Sequence, residues 1–250
     1  MMGDLLYGIN PVHEALSGEG RRLLELLVDG TGQNRRVEKL VVAARKQGVA
    51  VRQCERRELD RLFGHGHHQG VALRLEPFGF TTLEELLNCC RESDRPPFLL
   101  ILDGVTDPHN FGAILRSAEV AGCHGVIVGK DRACTVTATV EKTAAGALSH
   151  LRLCQVVNLS RTLEDLKKQG IWCYGLAGEQ EASGLYDVDL CDPVALVVGS
   201  EGQGLRPNVR RHCDGLLSIP VIGRISSLNA SVAAGVALFE VVRQRREGKA

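Results

Sequence analysis

Phe98-Leu99-Leu100-Ile101-Leu102 is the first of four apolar runs that decide the fold; the others are Gly125-Val126-Ile127-Val128, Ile171-Trp172-Cys173-Tyr174 and Val194-Ala195-Leu196-Val197-Val198. Each is unbroken and bounded by Gly, Asp or Pro. A strand with one wet face alternates apolar and polar residues, whereas a strand buried on both faces of a parallel sheet reads as a continuous run. Helical spacing fills the intervals, over 110–121, 136–148, 161–169 and 228–246. The expected class is α/β, with a mostly parallel C-terminal sheet covered by helices.

Upstream the signal is shorter-ranged. Residues 23–28, 49–54 and 71–75 read as strands, and 36–47 and 55–63 as helices. Asn10-Pro11 opens one more helical stretch, because proline in a first turn lacks only a donor that the helix would leave unpaired. This alternation predicts a small α/β domain over 1–77. Pro77-Phe78-Gly79 and Arg95-Pro96-Pro97 bracket a connector over 78–97 with its own helix, capped by Thr81 or Thr82. The second domain then runs over 98–250.

The composition narrows the functional classes. Of 250 residues, 44% are hydrophobic and 24% charged, and thirty Lys and Arg balance thirty Asp and Glu. A zero net charge excludes a uniformly basic nucleic-acid coat and leaves local basic patches open. No apolar stretch reaches the ~18–20 residues of a membrane span, and residues 1–7 lack the features of an export signal. Nine cysteines, odd in number and without a C-x-x-C pair, argue against both a disulfide framework and a cysteine zinc site. The expected setting is a reducing cytoplasm, with no membrane and no metal. His65, His67 and His68 lack an acidic or cysteine partner at ligand spacing and read as a flexible loop near RNA.

Ligands of open parallel sheets gather at the carboxyl ends of strands, and three such ends carry unusual residues. The first is Asp103-Gly104-Val105-Thr106-Asp107-Pro108-His109-Asn110-Phe111-Gly112, leading into a helix with Arg116. The second is Gly199-Ser200-Glu201-Gly202-Gln203-Gly204. The third runs from Ile219 through Val221, Ser227 and Leu228 to Asn229, just before the last helix. Taken singly, each has a plain structural reading. Asn110 reads equally as a helix N-cap, Arg116 as a solvated side chain, the glycine loop as a tight turn, and Ser227 and Asn229 as caps. The glycine spacing G-x-x-G-x-G after a late strand is not the dinucleotide fingerprint, which excludes a nicotinamide oxidoreductase, and no phosphate-binding P-loop occurs.

Together, in this order, the segments NFGAILRSAEVAG, VVGSEGQGL and IPVIGRISSLNASVAAGVALFE resemble the three signature motifs of the SpoU family, the ribose 2′-O-methyltransferases of the SPOUT superfamily. YGINPVHEAL and HHQGVALRL resemble the substrate-binding domain attached to that family's ribosomal RNA members. Only Ile225 and Ala230 depart from the third motif, by apolar or small residues. The resemblance implies a trefoil-knotted C-terminal domain that binds S-adenosylmethionine, forms a homodimer and methylates a guanosine ribose in 23S rRNA, free or in an assembling large ribosomal subunit. Transfer to tRNA, and a non-catalytic role in ribosome assembly, are the alternatives.

Carried over position by position, the resemblance assigns catalysis to Asn110, Arg116, Glu201, Ser227 and Asn229. It assigns cofactor binding to Leu176, Ala177, Gly199, Gly202, Ile219, Val221 and Leu228. Because a guanidinium with a pKa above about 12 rarely gives up its proton, Arg116 is expected to grip an RNA phosphate and the developing alkoxide rather than act as a base. The RNA surface has to be local. Arg21, Arg22, Arg35 and Arg36, with Arg56-Arg57, are its candidates on the N-terminal domain. The C-terminal residues 206–250, with eight basic and three acidic side chains, are a second candidate.

Overall fold

The computed structural model describes residues 4–17, 21–30, 34–63, 68–131, 133–178, 182–225 and 227–248. They fall into two units, the first reaching Gly79 and including residues 136–142, the second comprising 80–135 and 143–250.

In the first unit, β1 (Asp4–Tyr7), β4 (Val71–Leu75), β2 (Leu23–Asp29) and β3 (Ala50–Cys54) form a four-stranded sheet in that order. β2 and β3 are parallel and the other pairs antiparallel. α1 (Ile9–Ser17), α2 (Arg35–Lys46) and α3 (Arg56–Phe63) connect the strands. Asn34 caps α2 by accepting from the Arg36 N–H at 3.0 Å, which stabilises a helix start. Val12, Leu26, Leu40 and Leu73 make the core.

Two expectations change here. Arg21 is not a free RNA ligand: its side chain is 12% exposed and is clamped by Asp4, Glu141 and the Val136 carbonyl. His68 is not in a solvated loop. It is fully buried, its Nδ1 accepting from the Gly70 N–H at 3.1 Å and its Nε2 3.0 Å from Asp60. His65 and His67 lie outside the described residues. Arg22, Arg35, Arg36, Arg56 and Arg57 are exposed.

The second unit opens with α4 (Leu83–Glu92), begun by a capping box in which Thr82 and Glu85 satisfy each other's backbone N–H. The expected linker helix is part of this unit's core, because Leu86 and Cys90 are buried against the sheet. Next come β5 (Phe98–Asp103), α5 (Pro108–Val120), β6 (Gly125–Gly129), α6 (Ala138–Ala144), whose residues up to Lys142 belong to the first unit, then β7 (Arg152–Val156), α7 (Leu159–Lys168) and β8 (Trp172–Leu176). The short β9 (Ser183–Gly184), β10 (Val194–Gly199), α8 (Pro207–His212), β11 (Gly215–Ser218) and α9 (Ala230–Glu247) complete it. The seven strands pair in the order β7-β6-β5-β10-β8-β11-β9, and every pair is parallel.

β5 and β10 lie side by side at the centre and are buried at every residue, which explains their unbroken apolar sequence. From β5 the chain moves to β6 on one side, while from β10 it moves to β11 on the other. Their adjacent carboxyl ends, Asp103 beside Gly199, are therefore a topological switch point, where a crevice opens. The basic C-terminal residues are largely spoken for. Arg243 pairs with Glu240 and Glu247, and Arg245 donates to the carbonyls of Pro96, Pro97, Leu190 and Asp192 while lying over the Phe98 ring.

Candidate active site

Three segments meet at the β5/β10 crevice. Asp107, not Asn110, caps α5, accepting from the Asn110 N–H at 2.8 Å. The Asn110 side chain is thereby left for other work. Its Nδ2 donates to Glu201 Oε1 at 2.8 Å, across 91 residues of sequence. Asn229 Nδ2 donates to the same Oε1 at 2.5 Å and to Asn110 Oδ1 at 3.0 Å. Asn229 Oδ1 meanwhile caps α9, accepting from the Ser231 N–H and Oγ and the Val232 N–H. The cap and the site are thus one residue with two ends, and the α9 N-terminus fixes which way its amide points.

Glu201 sits at the tip of a tight loop. Ser200 and Gly204 exchange backbone hydrogen bonds of 3.1 and 2.9 Å, with Gly202 and Gly204 at positive φ. Gly199 is required for space: a Cβ there would lie 2.2 Å from the Gly204 carbonyl carbon and 2.5 Å from the Leu205 nitrogen. Among the described residues, Oε2 of Glu201 has no hydrogen-bond partner, and the side chain is exposed. One carboxylate oxygen is thus fixed by two amides while the other stays open as an acceptor.

Beside this triangle lies a cavity of about 210 Å³. Leu176 and Ala177 contribute from the end of β8, Gly199 and Gly202 from the loop, and Ile219, Val221 and Leu228 from the segment before α9. All seven expected cofactor residues line it, as do Glu201 and Ser227. Gly178, Leu217 and Ala233 also line it; Gly178 and Leu217 are ordinary small or apolar residues outside the three motifs, and Ala233, inside the third, carries no chemistry that marks it out. Among the described lining residues Glu201 alone is charged. The lining therefore suits an apolar, purine-like body carrying positive charge, not a phosphate-rich nucleotide.

Arg116 stands apart from the triangle. It is exposed on α5, six residues beyond Asn110, hence about 9 Å along the helix and about 120° round it. A larger cavity, about 340 Å³, lies at the opposite, amino-terminal end of the central strands, beside Phe98, the first residue of β5. Of the three motif segments it touches only Ala121 and Gly122, the last two residues of the first, and none of the candidate site residues. Burial pushes the thiols of Cys90, Cys154 and Cys213 up to about 11 and that of Cys173 to about 12, so none is a ready thiolate nucleophile. Among the described residues no His, Cys, Asp and Glu side chains cluster as metal ligands, and no helix is long and apolar enough to cross a membrane.

Comparison with known proteins bears on this geometry. The SpoU rRNA Methylase family model matches residues 97–239, and the model for RNA 2′-O ribose methyltransferase substrate binding matches residues 5–91. The chain belongs to the SpoU rRNA methylase family. Among relatives, the 23S rRNA (guanosine-2′-O-)-methyltransferase RlmB of Xanthomonas campestris is 47% identical over 240 residues, covering 96% of each chain. The RlmB of Yersinia pestis is 44% identical and covers 98% of each. Among solved structures, the SpoU methyltransferase AviRb from Streptomyces viridochromogenes, in complex with AdoMet, matches with a TM-score of 0.63 and 27% identity, covering 98% of this chain and 91% of that one. Both units therefore fall within SpoU-type architecture; the triangle is built from its three motif segments, and the cavity from the second and third together with the ends of β8 and β11.

Proposed function

We propose that this chain uses S-adenosylmethionine to methylate the 2′-hydroxyl of a guanosine in 23S rRNA. The observation that carries the reading is the Asn110–Glu201–Asn229 triangle at the edge of a cavity whose one charged residue, among the described lining residues, is Glu201. The two RlmB relatives, matched over almost their whole length, support the choice of guanosine and of 23S rRNA.

Leu176, Ile219 and Leu228 would enclose the adenosine, with the backbone of Ala177 and Gly199 approaching its polar edges. When bound, the cofactor supplies a methyl on a positively charged sulfur, so that a C–O bond forms as the C–S bond breaks and the hydroxyl proton has to leave. Asn110 and Asn229 pin Oε1 of Glu201, which leaves Oε2 to accept a hydrogen bond from the ribose hydroxyl and orient its lone pair, the proton then passing to the adjoining RNA phosphate or to a water. Holding that oxygen in place is worth several kcal/mol of barrier on general grounds. Ser227 adds a hydroxyl on the cavity wall. Arg116 holds an RNA phosphate by its planar fork and stabilises negative charge growing on the ribose oxygen.

Arg22, Arg35 and Arg36 on the first unit supply phosphate contacts to a folded RNA. A homodimer formed through the second unit, a trefoil knot within it, an assembling large subunit as substrate and a cytoplasmic setting belong to the same reading. The test is transfer of tritiated methyl from S-adenosylmethionine to total RNA of cells lacking this protein, with the RNA then fractionated. Label in 23S rRNA is expected. Label confined to tRNA would discard the substrate, and no label on RNA or on precursor particles would discard the enzyme.

A further inference from the structure

Asp103, the last residue of β5, is fully buried. Among the described residues its carboxylate is committed to a single partner: Oδ2 accepts from the backbone N–H of Arg206 at 2.8 Å, and Oδ1 from that arginine's Nε–H at 2.5 Å. Only the aspartate of this pair is buried, the arginine side chain being 40% exposed, and burying a charge costs desolvation that its partner has to offset. What the pair does supply is position. Gly199, where the Glu201 loop begins, is in register with Asp103. Arg206, where the loop ends, stands at the N-cap position of α8 without a side-chain cap of its own. Asp103 is therefore beside the entrance of the loop and holds its exit, with Glu201 at the tip between them. The chain leaving Asp103 also leads directly to Asn110. Two cross-links, Asp103–Arg206 and Asn110–Glu201, thus join the same two segments.

We propose that Asp103 and Arg206 are a positioning pair for methyl transfer, setting where Glu201 meets Asn110 and Asn229 without touching substrate or cofactor. The proposal rests on the methyltransferase reading above. It implies a split in the kinetics. Of the cavity lining, Gly199, Gly202 and Gly204 lie on the loop the pair holds, but Leu176, Ile219 and Leu228 lie on segments it does not hold, so releasing the pair should slow turnover more than it weakens cofactor binding.

Arg206→Gln and Asp103→Asn test this, each in the otherwise native chain and in a Glu201→Gln background. Arg206 is 40% exposed, so its replacement keeps a folded control should Asp103→Asn not fold. In the folded variants the Ser200 and Gly204 amides should exchange at least ~10-fold faster, with β5 and β10 unchanged. The Kd for S-adenosylmethionine should rise by a smaller factor than the ~10- to 100-fold by which kcat falls. In the Glu201→Gln background the same change should cost less than about threefold more, because residues acting as one unit are not additive. Unchanged amide exchange would overturn the proposal, as would full additivity with Glu201→Gln or a loss confined to cofactor affinity. Exchange needs no turnover. A native chain inactive on RNA would therefore overturn the functional reading while leaving the positioning pair to be decided by exchange.

Discussion

Gly199→Ala is the most incisive single change to the cofactor cavity. The added methyl would sit 2.2 Å from the Gly204 carbonyl carbon, 2.4 Å from its oxygen and 2.5 Å from the Leu205 nitrogen. All three are backbone atoms, so no side chain can swing aside. Restoring ordinary van der Waals distance needs a shift of about 1 Å in the loop that carries Glu201, and overpacking on that scale costs about 1–3 kcal/mol. If the loop gives way, that cost appears as weaker cofactor binding, roughly 5- to 150-fold in Kd at about 1.4 kcal/mol per tenfold. A misplacement of about 1 Å at the reacting groups also lowers kcat by ~100-fold. Gly202→Ala is the matched control. Its Cβ meets nothing within 4 Å and its φ is +78°, so only the left-handed backbone penalty of about 1 kcal/mol applies. Calorimetric titration with S-adenosylmethionine, beside single-turnover methyl transfer, gives both numbers. The steric reasoning is refuted if Gly199→Ala binds the cofactor within twofold of the native chain and turns over normally.

Further predictions separate roles that share a residue or a composition. Asn229→Asp keeps the oxygen that caps α9 and replaces the Nδ2 donor by a second carboxylate against Glu201; the melting temperature should fall by no more than a few degrees while kcat drops at least ~100-fold, whereas Asn229→Ala also loses the cap, about 1 kcal/mol. Arg21→Ala should destabilise the first unit by about 3 kcal/mol, the low end for breaking a buried pair, because Asp4 is half exposed. Arg35→Ala and Arg36→Ala should leave urea midpoints unchanged and each reduce the salt slope of RNA binding by about 1. Arg243 beside Glu240 holds that carboxyl below the usual carboxylate range, and Thr82 does the same for Glu85. Both folded values lie below the unfolded ones, so this stability is complete above the ordinary carboxylate pKa, about 4.3, and is lost as pH falls through the depressed values. Urea midpoints of Glu240→Gln should therefore converge on those of the native chain at acid pH.

How much of this is legible in the sequence depends on burial. β5, β6 and β10 are buried at every residue and announce themselves as unbroken apolar runs. β7 is an edge strand with Arg152 and Gln155 exposed, so its five residues imitate a loop. β11 is short and only partly buried, and α8 has six residues, too few for a period. The linker helix was visible as a helix but not as core, since burial of Leu86 and Cys90 follows from contacts distant in sequence. Arg21 reads like Arg35 because a doublet of arginines looks the same whether clamped or solvated. The site poses the same difficulty. No spacing rule joins residues 91, 119 and 28 positions apart, and the triangle was reached through family resemblance to three segments. Asp103, a strand-end aspartate in the quoted motif, was visible, but its hold on Arg206 required the fold.

The measurement that tests the central claim most directly is ribose-methylation mapping of 23S rRNA from a strain deleted for this protein and complemented with the native chain or with Arg116→Ala. The account predicts one 2′-O-methylguanosine that is absent in the deletion, restored by the native chain and not restored by Arg116→Ala at equal protein level. A 23S methylation pattern identical in deleted and complemented strains, or one restored equally by both forms, would contradict it.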